Sequence, residues 1–412
     1  MIIIKKLKTA KMVILKYGAK EALGLFGDNV EKAIIRLYRM SKSFLNRLVF
    51  NHKKSNKLNI LYVTNLYETE HGQTIRYRIY NLIEAIKGKA QTRFEIVENG
   101  IYKDEKSIKQ ADIIILMRVL WTDKVEQLIN TAKINNIPVV YDIDDLIFLP
   151  EYAETFSIIV NEQEKKSEYL RDFINYEKAF LSCDYGMTST QFIAEQMKKH
   201  NKKAYLIYNG LNYTQLAISN KIKKAQSDLL YISYLSGSKT HDKDFSAASP
   251  ALAKIVSEYD NVRIRIVGYL NTNDLPLELL QKTETMCYMS WKRLLHESAK
   301  NFINIAPLDI DNPFCHAKSE LKFFEAAIVG VPSVCSKTDT YNRCIKHGVN
   351  GMLASTDEEW YNAIKLLIED KALYKSIVDN GYKYVQSRYT PPAIAKMAMS
   401  AYTSIIEEFS VK

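Results

Sequence analysis

Short apolar segments alternate with amphipathic segments of helical period from Leu58 onwards. Uninterrupted apolar runs of this length are typical of strands in a parallel sheet, because helices cover such a sheet on both faces. The pattern predicts a doubly wound α/β unit that extends to about Asn212, with its first helix over about residues 76–86. The strands predicted in this unit are residues 58–64, 93–98, 111–117 and 137–143.

A second alternation follows a polar stretch without strand character, which we interpret as an interdomain linker. Two doubly wound units joined in this way enclose a cleft at the carboxyl ends of their strands, where open α/β sheets bind ligands. The strands predicted in the second unit are residues 229–235, 262–270, 301–308, 331–336 and 351–355. The predicted organisation is a helical extension at 1–57, a Rossmann-like domain at 58–212, the linker at 213–228, a second Rossmann-like domain at 229–385, and a helix at 386–412 that crosses back to the first domain.

The extension before residue 58 is strongly basic, and the formal net charge of +10 is concentrated there. Apolar residues recur at helical spacing between Val30 and Val49, and the opposite face carries Lys32, Arg36, Arg39 and Arg47. This pattern is typical of a helix lying in the interface of an anionic membrane. A helix packed on the protein with a solvated basic face would show the same pattern, so both interpretations stay open.

The composition is that of a soluble protein, with 47% hydrophobic and 25% charged residues among 412, enough for two domains. Five cysteines without a CxxC pair indicate a reduced, cytoplasmic environment. Lysines interrupt the apolar start of the chain, so we predict no signal peptide. No run approaches the roughly 18 apolar residues needed to span a bilayer. We expect a cytoplasmic protein, peripheral on the inner membrane face if the basic helix binds lipid.

The signatures GxGxxG, GxxxxGK[ST] and HExxH are absent, which argues against a dehydrogenase, a P-loop ATPase and a zinc protease. The loop after the strand at 229–235 instead combines a turn at Gly237 with Lys239 and Lys243, before a helix that starts near Phe245. Backbone N–H groups and ammonium groups in such a turn suit a diphosphate. An ordinary polar surface turn would look much the same.

Glu325 lies in an otherwise apolar helical run that ends at Gly330 and leads through Val331-Pro332 into a buried strand. An unpaired carboxylate in such a run would be costly, so Glu325 needs a partner. A ribose diol offers two hydroxyl donors and is one candidate. A buried lysine or arginine elsewhere in the fold is the alternative.

Four segments, taken in order, resemble the second half of glycosyltransferase family 4, the group 1 transferases of the GT-B fold. They are SYLSGSKTHDKDF, APLDIDNPF, KSELKFFEAAIVGVPSV and IKHGVNGML, and TSTQFIAEQM with YNGLN resembles the family's segment before the domain junction. The resemblance covers roughly residues 58–390 and implies the GT-B fold, in which two Rossmann-like domains face a central cleft.

The resemblance implies that Glu325 binds the donor ribose and that Lys243 holds the donor diphosphate beside the glycine turn. Two positions depart from the family: Ala317 replaces the usual paired glutamate, and Ser238 replaces the expected arginine. Lys239 or Lys318 is a candidate for the missing charge. The expected donor site comprises Ser236, Gly237, Ser238, Lys239, Lys243, Lys318, Ser319 and Glu325.

Asp142, Asp144 and Asp145 end the fourth strand of the first unit, and Asp144 occupies the position of a histidine common in the family. Three carboxylates could bind a divalent cation, but two-Rossmann transferases generally neutralise the leaving diphosphate with protein donors, so we expect no metal. We expect Asp144 and Lys243 to be catalytic.

The loop after the first strand should face the same cleft and contact the acceptor. Arginine suits an acceptor phosphate, although Arg78 could equally pair with a neighbouring carboxylate. The expected acceptor-binding residues are His71, Gly72, Arg76, Arg78 and Asp142.

The combined hypothesis is transfer of a hexosyl or related unit from a nucleotide diphosphate sugar to a bacterial surface glycan, such as lipopolysaccharide or capsule. The resemblance implies retention of anomeric configuration. The paired glutamate of the family, on which this expectation depends in part, is absent here. We expect no cofactor and no nucleic-acid partner. The alternatives are a nucleotide-sugar epimerase or hydrolase of the same fold, and a non-catalytic, membrane-docked partner of a transferase complex.

Overall fold

The computed structural model describes residues 57–66, 73–156, 165–222, 227–237, 242–273 and 275–411. The chain divides into two compact units, Met1–Lys57 and Leu58–Lys412, and both sheets lie in the second. The basic helix predicted between Val30 and Val49 lies outside the described residues.

The first half contains a parallel sheet with helices on both faces. Its strands are β1 (Asn59–Thr64), β2 (Gln91–Ile96), β3 (Ile113–Met117), β4 (Val139–Ile143), β5 (Tyr185–Thr188) and β6 (Ala204–Leu206), in the order β2-β1-β3-β4-β5-β6. Its helices are α1 (Gln73–Ile75), a π-helical turn (Arg76–Tyr80), α2 (Asn81–Ala85), α3 (Glu105–Lys109), α4 (Asp123–Ile134), α5 (Lys166–Ser182), α6 (Gln191–Lys199) and α7 (Tyr213–Ser219), with 3-10 turns at Val97–Asn99, Ile101–Lys103 and Pro150–Thr155. Every residue of β3 and β4 is buried, as expected for central strands of a covered sheet.

The second half repeats this architecture. Its parallel strands are β7 (Leu230–Ser236), β8 (Val262–Gly268), β9 (Thr283–Met286), β10 (Ile303–Ala306), β11 (Ser333–Ser336) and β12 (Met352–Ala354), in the order β12-β11-β10-β7-β8-β9. Its helices are α8 (Asp242–Ser246), α9 (Ser249–Glu258), α10 (Leu277–Gln281), α11 (Trp291–Ser298), α12 (Pro313–Ala317), α13 (Leu321–Ala327), α14 (Asp339–Cys344), α15 (Asp357–Glu369) and α16 (Lys371–Arg388).

The last helix, α17 (Pro391–Val411), packs on the first sheet rather than the second. Ile394 and Ala398 join the same apolar cluster as Ile60 on β1. The hydroxyl groups of Tyr62 and Tyr402 lie 2.8 Å apart within this cluster. The end of the chain therefore completes the core of the first half.

The carboxyl ends of the two sheets meet across a cleft. The Thr190 hydroxyl, beyond β5, donates to the Ala317 carbonyl over 3.3 Å. Phe156 stacks on Phe314 with ring centroids 4.8 Å apart. Two doubly wound domains facing each other in this way form the GT-B arrangement, which confirms the fold predicted from the sequence.

Among the described residues, no helix is both long and apolar enough to cross a membrane. The five cysteines are free thiols, and Cys287 is the exposed one.

Candidate active site

A buried ion pair joins the first helical segment to the end of β4. The Arg78 guanidinium donates two hydrogen bonds to Asp142, from Nε to Oδ2 over 3.1 Å and from Nη2 to Oδ1 over 2.6 Å, and both side chains are 0% exposed. Nη1 of Arg78 donates to the Ile207 carbonyl and to Asn209. Arg78 lies in the π-helical turn, a rare conformation that often occurs at functional sites.

This pairing is the alternative that the sequence left open for Arg78. Burial acts to lower the pKa of Arg78 and Asp142 acts to raise it, with a net increase, so the arginine stays charged. Neither side chain presents a surface to the cleft. The pairing positions the π-helical turn, and acceptor contact by Arg78 and Asp142 stays a prediction.

Asp144, the expected catalytic aspartate, lies beside an arginine that sequence analysis missed. Nη1 of Arg118 is 3.6 Å from Asp144 Oδ1, and the two side chains are 23% and 15% exposed. Arg118 follows β3 with a left-handed φ of 48°, a conformation that is costly for a residue with a side chain and concentrates at functional sites. The signal for Arg118 in the sequence was an arginine placed directly after an apolar strand.

Asp145 connects this corner to the second half. Burial raises its pKa, while Arg118 and Lys318 oppose the increase. Lys318, a predicted donor-site lysine, therefore lies near enough to act electrostatically on Asp145.

Glu325 is held by residues of the first half and of α7. Its Oε1 accepts hydrogen bonds from the Tyr77 hydroxyl, from Gln215 Nε2 over 3.2 Å and from Arg76 Nη2 over 3.4 Å. Gln215 is fixed in turn, because its amide oxygen completes a capping box with Asn212. All contacts from described residues reach Oε1, and the side chain is 18% exposed. Oε2 is therefore available to a ligand.

Arg76 belongs to this Glu325 cluster. Its Nε donates to Gln73 over 3.0 Å, and its guanidinium carbon lies 4.2 Å from the ring centre of Tyr77 and 4.9 Å from that of Trp291. We expected Arg76 to contact the acceptor, and the structure places it on the expected donor-site carboxylate. It also connects the halves, because Glu325 and Trp291 belong to the second.

The expected diphosphate lysines lie near the carboxyl end of β7. Lys243 Nζ is 2.7 Å from Asp309 Oδ2, and its side chain is 82% exposed. Lys318 Nζ is 3.4 Å from Asp244 Oδ2, and Asp244 also accepts from the Asp309 backbone N–H over 3.1 Å. The two ion pairs therefore form one cluster.

The glycine turn depends on a residue outside it. Gly268 has a φ of +101°, and a Cβ at that position would lie 1.9 Å from the Ser236 carbonyl oxygen. Gly268 thus allows β8 to approach the start of the turn at Ser236 and Gly237. Ser319 accepts a hydrogen bond from Asn209 over 3.0 Å. The remaining predicted contacts, Ser238, Lys239, His71 and Gly72, lie outside the described residues.

A further lysine, Lys322, was missed at the sequence level. It precedes Glu325 by three residues, and its Nζ lies 4.4 Å from the ring centre of Tyr234. The Nζ atom is buried without a hydrogen-bond partner among the described residues. Within the same part of the chain, no three His, Cys, Asp or Glu side chains converge to form a metal site.

Several solved structures resemble this chain in fold at low sequence identity. HepE of Anabaena in complex with UDP matches with a TM-score of 0.58 and 17% identity, covering 84% of this chain and 100% of HepE. Sucrose-phosphate synthase of Thermosynechococcus elongatus matches with a TM-score of 0.57 and 13% identity, covering 85% of this chain and 100% of the synthase. A glycosyltransferase of Rickettsia africae matches with a TM-score of 0.57 and 13% identity, covering 86% of this chain and 100% of that protein. No protein-family model and no curated protein sequence matches the chain.

Proposed function

We propose that this chain is a glycosyltransferase that moves a sugar from a nucleotide diphosphate sugar to a glycan acceptor. The main support is the contact between the two halves in the cleft, where Arg76 and Tyr77 of the first half hold Glu325 of the second through hydrogen bonds. Structures of HepE, which has the same fold, are complexes with UDP and with UDP-glucose. This similarity supports a nucleotide-sugar donor.

In this proposal the unbonded Oε2 of Glu325 accepts hydrogen bonds from the donor ribose. Lys243 and Lys318 face the diphosphate, which gains negative charge as the bond from the sugar C1 to the phosphate oxygen breaks. Cations already in place stabilise that charge most in the transition state. Asp144 orients the acceptor hydroxyl, whose oxygen forms the new glycosidic bond while its proton passes to the departing diphosphate.

We extend the proposal to family 4 of the glycosyltransferases, to a hexosyl donor and to a surface-glycan acceptor on the cytoplasmic side of the membrane. The sequence motifs around Lys243 and Glu325 support the family, the family resemblance is the basis for the donor and acceptor classes, and the cysteine pattern supports the cytoplasmic location. Retention of configuration belongs to the same family-based expectation. His71, Gly72, Ser238 and Lys239 remain proposed ligand contacts.

A thermal-shift screen of nucleotide sugars, followed by product analysis, tests the proposal. A ligand that binds the folded state at about 100 times its Kd stabilises it by about 2.7 kcal/mol, which is readily measured. We expect one nucleotide sugar to raise the Tm and its sugar to appear on an acceptor glycan. Altered or free sugar would indicate an epimerase or hydrolase, and binding without turnover would indicate a non-catalytic partner.

We also propose that the basic segment before residue 58 attaches the enzyme to anionic membranes. Its alternating apolar and basic residues would combine apolar burial with attraction to headgroups. Removal of residues 1–54 should then release the protein from anionic liposomes in a sedimentation assay. Equal binding by the full-length and truncated chains would leave the segment as a packing element.

A further inference from the structure

Lys322 occupies an unusual position for a lysine. It lies on α13, whose backbone is tied to β10 because Asn304 Nδ2 donates to the Lys322 carbonyl over 3.3 Å. The residue as a whole is half-buried, yet its Nζ is buried over the Tyr234 ring near the carboxyl end of β7. Lysines more often bury the stem and keep the ammonium group in water. Lys322 does the reverse.

No carboxylate is hydrogen-bonded to this ammonium group among the described residues. Asp244 lies near enough to attract it electrostatically. However, the Asp244 carboxylate already accepts hydrogen bonds from Lys318 Nζ, the Asp309 N–H and the Cys315 thiol. Beyond the Tyr234 ring, the buried ammonium group has no hydrogen-bond partner among the described residues, which is unfavourable, and a buried lysine commonly responds with a lowered pKa.

The groups around Lys322 favour a lowered pKa. The pKa of Lys322 is lowered to about 8, mainly by burial and in addition by the neighbouring Lys318, while Asp244 opposes the decrease. Burial also raises the pKa of the Cys315 thiol to about 12 and raises that of Cys335, so both thiols stay neutral. Among the described residues, the pocket therefore holds no anion that is hydrogen-bonded to Lys322.

Its place on α13 indicates which anion could fill this role. Lys322 and Glu325 are three residues apart, so their Cβ atoms are neighbours on one helix surface, about 5–6 Å apart. Ribose and diphosphate are adjacent groups of a nucleotide. A ribose on Glu325 therefore brings the diphosphate to the end of the helix where Lys322 and Lys318 lie.

We propose that Lys322 is a binding residue for the donor diphosphate and that the bound diphosphate stabilises its protonated form. This inference rests on the proposed function, because the diphosphate belongs to the nucleotide-sugar donor. It assigns to Lys322 a role that sequence analysis gave to Lys239 or Lys318. Without a ligand, the buried ammonium group of Lys322 destabilises the folded protein. With a diphosphate bound, the same group makes a strong electrostatic contact.

Isothermal titration of UDP, GDP and ADP, with the matching nucleosides, tests this role in the full-length protein. Lys322→Met keeps an unbranched side chain of similar length and removes the charge. We expect Lys322→Met to lower the affinity for the nucleoside diphosphate that binds the wild type by about tenfold to a hundredfold. This is the range expected for the loss of a hydrogen bond between charged groups. Nucleoside binding should change much less, since the nucleoside has no phosphate. Lys254→Met is the matched control, because Lys254 lies 3.7 Å from the ring centre of Tyr361 but is exposed.

Proton uptake provides a second measurement that does not depend on a variant. Titrations at pH 8 in buffers of different ionisation enthalpy should show about half a proton taken up per diphosphate, since a group with a pKa of about 8 is half protonated there. Lys322→Met should abolish this uptake. Wild-type binding without uptake, or unchanged affinity in Lys322→Met, would overturn the inference alone. Failure of every nucleotide to bind wild type would overturn the proposed function as well.

Discussion

The carboxyl edges of the two sheets both contain buried cations, but the cations are satisfied very differently. Arg78, in the first half, makes two hydrogen bonds to Asp142 and two more to Ile207 and Asn209. Lys322, in the second half, has no hydrogen-bond partner among the described residues. Nearby, Glu325 is anchored through one oxygen and leaves the other unbonded by described residues.

This difference separates structural from ligand-binding polar groups better than residue type does. A buried ion pair with complete hydrogen bonding contributes rigidity and has no capacity left for a ligand. A buried group with unused capacity destabilises the free protein and gains most when a ligand arrives. We therefore expect mutations at Arg78 to reduce stability and mutations at Lys322 or Glu325 to reduce binding.

The largest expected effect is on folding, from Arg78→Met. This change leaves the Asp142 carboxylate buried without its partner, and such losses typically cost about 3–5 kcal/mol. The free energy of unfolding, measured by urea denaturation, should fall by that amount. The double variant Arg78→Met/Asp142→Leu should recover part of the loss, because it removes both charges. Normal stability with reduced acceptor affinity in Arg78→Met would instead return Arg78 to the acceptor site.

A substitution that removes the charge of Lys322 is expected to increase the free energy of unfolding, whereas Arg78→Met is expected to decrease it. The pKa of Lys322 is about 8 in the folded protein, below the ordinary 10.5, so the unfolded state binds more protons between these values and the stability of the wild type rises with pH there. The penalty below pH 8 is of order 3 kcal/mol. Lys322→Met should therefore be more stable than wild type at pH 7, and this advantage should shrink by pH 9.5. A pH-independent difference would show that Lys322 is not buried in charged form at pH 7.

Much of the fold was predictable because it follows from local pattern. The apolar runs of β1, β3 and β7 appear in the sequence as strands within one or two residues of their observed bounds. The strands that the pattern missed are β5, β6 and β9. β9 is the polar TETM at a sheet edge with two exposed residues, and β6 is three residues long. Short or exposed edge strands lack the apolar run on which the prediction depends.

The site was predictable where a residue conflicted with its own surroundings. Glu325 drew attention because it interrupts an apolar helix, whereas Lys322 in the same helix did not, since a lysine can normally reach solvent. Its burial depends on Tyr234, 88 residues earlier, as the pairing of Arg78 depends on Asp142, 64 residues later. Such contacts follow from topology and cannot be inferred from spacing along the chain.

Glu325→Gln tests whether the unbonded oxygen is the ligand contact. Glutamine keeps an oxygen for the Tyr77 and Gln215 donors but removes the charge, so the fold should survive. Donor affinity or turnover should fall about tenfold to a hundredfold. Glu297→Gln is a suitable control, because Glu297 is 14% exposed and pairs with Lys300. A sharply lower Tm with normal donor affinity would make Glu325 a structural partner like Asp142.

The smallest expected effect concerns Lys243, the exposed member of the lysine cluster. Its side chain is 82% exposed, and its partner Asp309 raises its pKa, so it is charged at neutral pH without contributing much to stability. Lys243→Ala should leave the Tm unchanged and lower kcat/KM about tenfold, with most of the loss in kcat, because the diphosphate charge is greatest in the transition state. Lys337→Ala, which removes another lysine paired to a surface carboxylate, Glu359, should change neither quantity. If Lys243→Ala raises KM without lowering kcat, Lys243 contributes uniform binding, and the stabilisation of the leaving group falls to the buried Lys322 and to Lys318.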